Sequence, residues 1–390
     1  MHTVKTLNQI ALKGLQRFPL DRYELSGEFA DPEAIILRSH KLSEADLTPN
    51  LRAIARAGAG VNNVPVAACS ERGVVVFNTP GANANSVKEL VLAALLLTGR
   101  DLVGGINYVR SLQEVADEAE LNRLVEAEKK RFKGSELHGK ALGVVGLGAI
   151  GSMVARAALD LGMEVLGYDP AISVDAAWRL PSEVQRMENL PSLFARADFV
   201  TLHVPLLAET EGLVNEESLR SFKPGSVLLN FARQPIVDTS ALATALSDGT
   251  LRRYVADFPV PGLVDHANVL LTPHLGASTE EAEENCAVMA ADQLRAFLET
   301  GNIRNSVNFP AVTLEPSDGY RLAVINRNVP GMLGHITSAL ANHSINVLDM
   351  LNKSRDEIAY NLIDMAEAPS PELIEEICSI DSVVNVRTFD

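Results

Sequence analysis

The sequence predicts an α/β protein: a doubly wound parallel sheet, a second small α/β unit and a C-terminal βαββαβ sandwich. Three observations carry this. Short apolar strands alternate with helical stretches over most of the 390 residues. The run L-G-V-V-G-L-G-A-I-G from Leu142 to Gly151 ends in Gly146-x-Gly148-x-x-Gly151. Residues 319–390 read strand, helix, strand, strand, helix, strand.

In chain order, Glu33–Arg38, Leu51–Ala57 and Val74–Asn78 are short apolar runs read as the strands of the first unit. Ser86–Arg100 is apolar nearly all round, with Ser86 as N-cap and Glu89 three residues later, and predicts a buried helix. Gln113–Lys133 is polar at helical spacing. Strands follow at Ala141–Val145, Val165–Tyr168, Phe199–Val204, Ser226–Phe231, Arg253–Phe258 and Val269–Leu271, separated by helices or loops as a parallel sheet requires. Thr279–Gly301 predicts a second long helix and Pro310–Asp318 a linker. The sandwich follows: Arg321–Arg327, Gly331–His343, Ile345–Asn352, Ile358–Met365, Pro371–Ser379 and Val383–Phe389.

The glycine triplet has a chemical use. Gly146 allows a tight turn, Gly148 lets backbone N–H groups approach a pyrophosphate, and Gly151 lets the helix opened by Ala149 and Ile150 pack on the strand with its positive end toward phosphates. Asp169 lies 18 positions after Gly151, at the carboxyl end of the next strand. There a carboxylate accepts both ribose hydroxyls and repels a 2′-phosphate, while Pro170, Ala171 and Ile172 supply no arginine for one. The expected cofactor is therefore NAD.

Composition narrows the partners. With 34 basic against 50 acidic residues the net charge is −16, which disfavours nucleic acid and anionic membranes. The three cysteines, Cys69, Cys286 and Cys378, lack metal-ligand spacing, so no metal is expected and a reducing cytoplasm is. The opening M-H-T-V-K-T-L-N-Q-I has no signal-peptide core, and the longest apolar run, Leu90–Leu97, is too short to span a bilayer.

Four motifs carry a resemblance: the glycine fingerprint; Leu229-Asn230-Phe231-Ala232-Arg233, resembling an N-x-x-R-G catalytic strand; Leu271-Thr272-Pro273-His274-Leu275-Gly276-Ala277-Ser278-Thr279, similar to P-H-x-G-x-S-T; and Asn83-Ala84-Asn85-Ser86-Val87-Lys88-Glu89-Leu90, matching N-x-x-S-V-x-E-L. On them the whole chain resembles the D-3-phosphoglycerate dehydrogenases, D-2-hydroxyacid dehydrogenases carrying a C-terminal ACT-type regulatory module. The resemblance implies a flavodoxin-like substrate domain at 1–87 and 278–308, an inserted Rossmann domain at 88–277, a linker at 309–318 and an ACT-type domain at 319–390. It also implies NAD-dependent oxidation of D-3-phosphoglycerate at the start of serine biosynthesis by a homo-oligomer.

The chemistry fits the residue types. Oxidising a 2-hydroxy acid needs a base near neutrality beside the hydroxyl, and His274 is the candidate. The substrate carboxylate needs a bidentate donor, and Arg233 offers a guanidinium fork after a strand's carboxyl end. By resemblance His203, Val204, Pro205, Ala232, Asp257 and Gly276 also contact the cofactor. Gly58, Ala59 and Gly60 form the substrate-carboxylate loop, Arg38 is the phosphate's basic residue, and Asn83 is a further substrate contact. Lys129, Lys130, Arg131 and Lys133 match a segment that reaches a neighbouring subunit's site, or else form a solvated helix face. In the C-terminal module, Asn328-Val329-Pro330-Gly331 resembles the N-x-P-G turn that captures an amino acid, often L-serine, with Asn326, Asn328 and Asn346 as effector-binding residues.

Three departures stand out. Gly262 occupies the position of the glutamate that pairs with the family's histidine, leaving Asp265 as the other acid between Asp257 and His274. Gln234 replaces the glycine after Arg233, and His40 replaces a second basic residue. Two alternatives stay open: another 2-hydroxy acid such as 2-hydroxyglutarate, or an NAD-sensing regulator without catalysis.

Overall fold

The computed structural model describes residues 1–315 and 317–389, apart from the side chain of Asp175. Pro316, in the expected linker, and Asp390, at the end of the expected regulatory module, lie outside the described residues. The chain forms two compact units, Met1–Asn83 with Glu280–Asp390, and Ala84–Thr279.

In the first unit a five-stranded parallel sheet runs in the order Tyr23–Ser26, His2–Leu7, Ala34–Leu37, Ala53–Arg56, Val75–Phe77. This is the flavodoxin-like order. The three later strands are apolar because helices cover both faces: Glu280–Thr300 seats Ala290, Leu294 and Phe297 on one side, and Val66–Glu71 brings Cys69 to the other. The sequence pattern missed His2–Leu7 and Tyr23–Ser26. Only Val4 and Tyr23 are buried along them, so neither shows an apolar run.

The C-terminal part of this unit is an antiparallel sheet ordered Val347–Arg355, Ile358–Met365, Tyr320–Arg327, Val383–Phe389. Alternation gives it two faces. Leu322, Val324, Ile363 and Met365 pack under the helices Met332–Asn342 and Pro371–Ser379. Ala323, Ile325, Tyr360, Leu362 and Phe389 share one core with Phe77, Phe297 and Phe309 of the flavodoxin-like part. The first part of the expected linker is packed: Phe309, Val312 and Leu314 are buried, and Val312 bridges Ile303. Arg387 donates to the carbonyls of Arg52 and Gly73 at 3.1 and 2.9 Å, and Tyr360 donates to Gly301 at 2.8 Å. An appended module was expected, and a sheet with both faces covered is found.

The second unit holds a seven-stranded parallel sheet ordered Val269–Leu271, Leu251–Ala256, Ser226–Asn230, Phe199–Leu202, Ala141–Val145, Glu164–Tyr168, Gln185–Arg186. Chain order reverses between Ala141–Val145 and Phe199–Leu202, which opens a ligand crevice at their carboxyl ends. The buried helix begins at Ala84, not Ser86. The turn at 81–83 feeds the helix early, and Ser86 is a small buried side chain inside it rather than its cap. Among the described residues no helix is long and apolar enough to cross a membrane.

Candidate active site

The crevice of the second unit is built on Gly146 and His203, the residues that follow the two strands at the reversal. Gly146 has φ +90°, and a Cβ there would come within 2.7 Å of the His203 carbonyl. At Gly151 a Cβ would strike the Gly146 carbonyl at 1.9 Å, so only glycine lets the helix Ala149–Asp160 start this close to the turn. Gly148 faces open space. The helix's first amides are thus free to meet an anion, and the cradle fits a dinucleotide's phosphates.

Asp169 completes the grip. Its carboxylate accepts the Leu147 amide at 2.8 Å and the Ala171 amide at 3.0 Å, which ties the acid to the glycine turn. Like-charge placement costs several kcal/mol. NADH should therefore be preferred over NADPH by about a hundredfold in kcat/KM, and Asp169→Ala should reduce that ratio to within about tenfold. Equal use of both cofactors by the wild type would contradict the assignment.

His203 is held at its Nε2 by Thr201 Oγ1 at 2.9 Å, while its Nδ1 is buried without a partner among the described residues. Burial pushes the imidazole down to about 3. It lines the crevice as a neutral ring. Val204 and Pro205 follow it, half-buried and exposed respectively.

Arg233 owes its position to Asn230, the fully buried last residue of its strand. The Asn230 amide accepts from the Ala232 N–H at 3.1 Å and donates to the Arg233 carbonyl at 2.9 Å, which folds the chain over and turns it outward. The Arg233 guanidinium is exposed, bonds the Ala232 carbonyl at 2.7 Å, and meets no carboxylate among the described residues. Such a fork is open to an anion. Gln234 points back to Thr239 at 3.4 Å.

His274 is exposed and has φ +61°, a left-handed backbone that costs about 1–2 kcal/mol for a residue with a Cβ. Strain of this kind concentrates at functional sites. Its ring lies edge-on to Phe258, centroids 4.9 Å apart, and no carboxylate reaches it among the described residues. Asp265 is exposed and does not bond the histidine, so the structure does not support it as a substitute partner. Gly262 sits at φ +82° with nothing near it, a turn position where a glutamate would be strained. The carboxylate of Asp257, expected as a cofactor contact, engages the His274 loop. It accepts from Thr272 Oγ1, Leu275 N and Gly276 N, each at 2.6 Å.

In the first unit Gly58–Gly60 follows the strand Ala53–Arg56. Asn78 Nδ2 holds the Ala59 carbonyl at 2.6 Å and the Thr79 N–H holds that of Gly58 at 3.0 Å. Arg38, after the neighbouring strand, pairs with Glu283 at 2.7 Å. Sequence reasoning missed Arg56, whose guanidinium lies over Gly58 and whose Nε donates to the Arg38 carbonyl at 3.0 Å. Its signal was an arginine ending an apolar strand just before G-x-G. Asn83 sits in the turn preceding the long helix. In the basic run, Lys129 and Arg131 pair with Glu126 and Glu128, as on a solvated helix face.

The effector residues divide. Gly331, at φ +91°, caps the helix Met332–Asn342. Asn328 closes its turn by donating to the Asp356 carbonyl at 3.2 Å. Asn326 is buried in the sheet, bonded to the Arg327 carbonyl and to Asn361, and is not open to a ligand. Asn346 precedes the strand end paired with Met365, while Asn328 follows the end paired with Ile358. One protomer thus keeps them about 25 Å apart at the usual rise per residue, and the three do not form one site within it.

Residues 104–276 match the family model for the D-isomer specific 2-hydroxyacid dehydrogenase NAD-binding domain. The chain is 33% identical over 386 residues to D-3-phosphoglycerate dehydrogenase of Haemophilus influenzae, covering 95% of this chain and 90% of that one. It is also 33% identical over 341 residues to the enzyme of the same name from Methanocaldococcus jannaschii, covering 85% of this chain but spanning only 62% of that relative's length. A solved NAD+-bound 3-phosphoglycerate dehydrogenase from Entamoeba histolytica superposes with a TM-score of 0.60 at 25% identity, over 79% of this chain and 98% of that one.

Proposed function

We propose that this chain, which belongs to the D-isomer specific 2-hydroxyacid dehydrogenase family, interconverts D-3-phosphoglycerate and 3-phosphohydroxypyruvate with NAD, the first step of serine biosynthesis. The observation that carries this is the pair Arg233 and His274. Both are exposed, neither meets a carboxylate among the described residues, and both follow strands of the sheet that bears the glycine turn.

Arg233 binds the substrate carboxylate through its two-pronged fork and polarises the oxygen on C2. His274 takes the proton of the C2 hydroxyl during oxidation and returns it to the carbonyl oxygen during reduction. Asp169 and the amides opening Ala149–Asp160 hold the dinucleotide's ribose and phosphates. NAD, when bound, supplies the hydride acceptor. In the first unit the backbone N–H groups of Ala59 and Gly60, beside Arg38 and Arg56, suit an anion such as a phosphorylated acid, while the Gly58 N–H is held by the Arg56 carbonyl at 2.8 Å.

The protein works as a homo-oligomer in this reading. The helix Leu102–Ser111 leaves Leu102, Ile106 and Val109 exposed along one face beside Phe132, an apolar strip that suits a second copy. A small amino acid is the effector at the Gly331 turn, and a site using both Asn328 and Asn346 takes the latter from another copy.

Steady-state reduction by NADH tests the substrate. 3-Phosphohydroxypyruvate should exceed 2-oxoglutarate by about a hundredfold or more in kcat/KM, the scale set by buried charge pairing. A preference for 2-oxoglutarate would point to the alternative acid, which the engagement of Arg38 by Glu283 favours over a strong phosphate site.

A further inference from the structure

We propose that Asp257 is the positioning residue of His274, gripping the histidine's loop from both sides. The proposal rests on the reading of His274 as the group that moves the proton. Asp257 directly follows the strand Leu251–Ala256 and is 3% exposed, so its carboxylate starts from a rigid base. One oxygen accepts Thr272 Oγ1 and the Leu275 amide, and the other accepts the Gly276 amide. The three donors bracket His274 in sequence, two residues before it and one and two after.

That bracket explains how a residue with a Cβ stays at φ +61°. A left-handed histidine relaxes toward an ordinary backbone unless the flanking groups are fixed, and the two amides bound after it set the turn. The next residue, Phe258, supplies the edge on which the imidazole rests. Asp257 and Phe258 together fix the backbone and ring of His274, a task otherwise open to a carboxylate bonded to the imidazole itself. Gly276 belongs to the same device, since a Cβ there would come within 2.9 Å of the Asp257 carboxylate. All three groups facing Asp257 are donors, so an asparagine cannot satisfy them: its NH2 must face an N–H or O–H.

Asp257→Asn should therefore lower kcat for keto-acid reduction by about a hundredfold, the scale of a small misplacement of a reacting group. NADH affinity, read by energy transfer from the single tryptophan, Trp178, should stay within about threefold of wild type. A carboxylate that mainly contacts the cofactor gives the reverse pattern, weaker NADH binding with kcat retained, and that result overturns the proposal. If Asp257→Asn does not fold, Thr272→Val decides: it removes one of the three bonds and should cost about tenfold in kcat, and an unchanged kcat overturns the clamp. His274→Asn separates the two readings. If it abolishes turnover while Asp257→Asn leaves kcat intact, the clamp alone fails; if His274→Asn itself turns over normally, the acid–base reading fails and takes the clamp with it.

Discussion

His274→Asn should reduce turnover of 3-phosphohydroxypyruvate with NADH by about a thousandfold, within the range general acid–base catalysis contributes. NADH binding should persist, because the glycine turn and Asp169 lie on other strands of the unit. The loss should appear in kcat more than in KM, since the proton moves in the transition state and not on binding. Asp265→Asn is the matched control. Asp265 does not touch His274, so the pH–rate profile of that variant should superimpose on the wild type's. A shifted inflection would mean that the loop moves to bring the acid in.

The largest effect on stability is expected at Asp364→Asn. Arg321 and Asp364 form a buried two-bond pair, 2.6 and 2.9 Å, and Arg321 also donates to the carbonyls of Thr300, Leu314 and Glu315. Three segments meet on one guanidinium. Removing the counter-charge leaves a buried cation, at a cost of about 3 kcal/mol. The amides of Tyr320–Arg327 and Ile358–Met365 should then exchange about a hundredfold faster. Replacing both partners with apolar residues, as Arg321→Met with Asp364→Leu, should recover most of the loss. Burial acts to raise the Asp364 carboxyl, but the hydrogen bonds from Arg321 and Ser317, together with the guanidinium charge, outweigh it and hold it below the ordinary carboxylate value. A lowered folded-state pKa means the stabilisation is complete above the unfolded value and disappears as pH falls through the folded one. The gap between wild type and Asp364→Asn should be full at neutral pH and close in acid.

What was legible in the sequence follows from what leaves a local pattern. The Rossmann strands and the helix after Gly148 were readable because parallel strands buried on both faces are continuous apolar runs. Val269–Leu271, Ile358–Met365 and Val383–Phe389 lie at their expected limits. His2–Leu7 was not readable, since one buried valine in six residues makes no pattern. Nor was the covering of the C-terminal sheet. An amphipathic strand shows that a face is apolar without showing what lies against it, so Tyr360 and Phe389 on the core of Phe297 could only be seen in three dimensions. Asn326 illustrates the same limit: a match at the right offset from a turn did not reveal that Asn361 already occupies its side chain. Asp257 was legible as important, but its direction depends on the turn at His274, which is a matter of φ and not of residue type.

Hydride transfer itself is the decisive measurement. Wild-type protein should be mixed with 3-phosphohydroxypyruvate and NADH deuterated at the transferable nicotinamide position, and the product examined by mass spectrometry and chiral analysis. The expected result is D-3-phosphoglycerate carrying deuterium on C2, formed by the wild type and not by His274→Asn. Unreacted keto acid in the presence of wild-type protein whose Trp178 fluorescence still reports bound NADH would contradict the account, and would make the chain a dinucleotide-sensing regulator on a dehydrogenase fold.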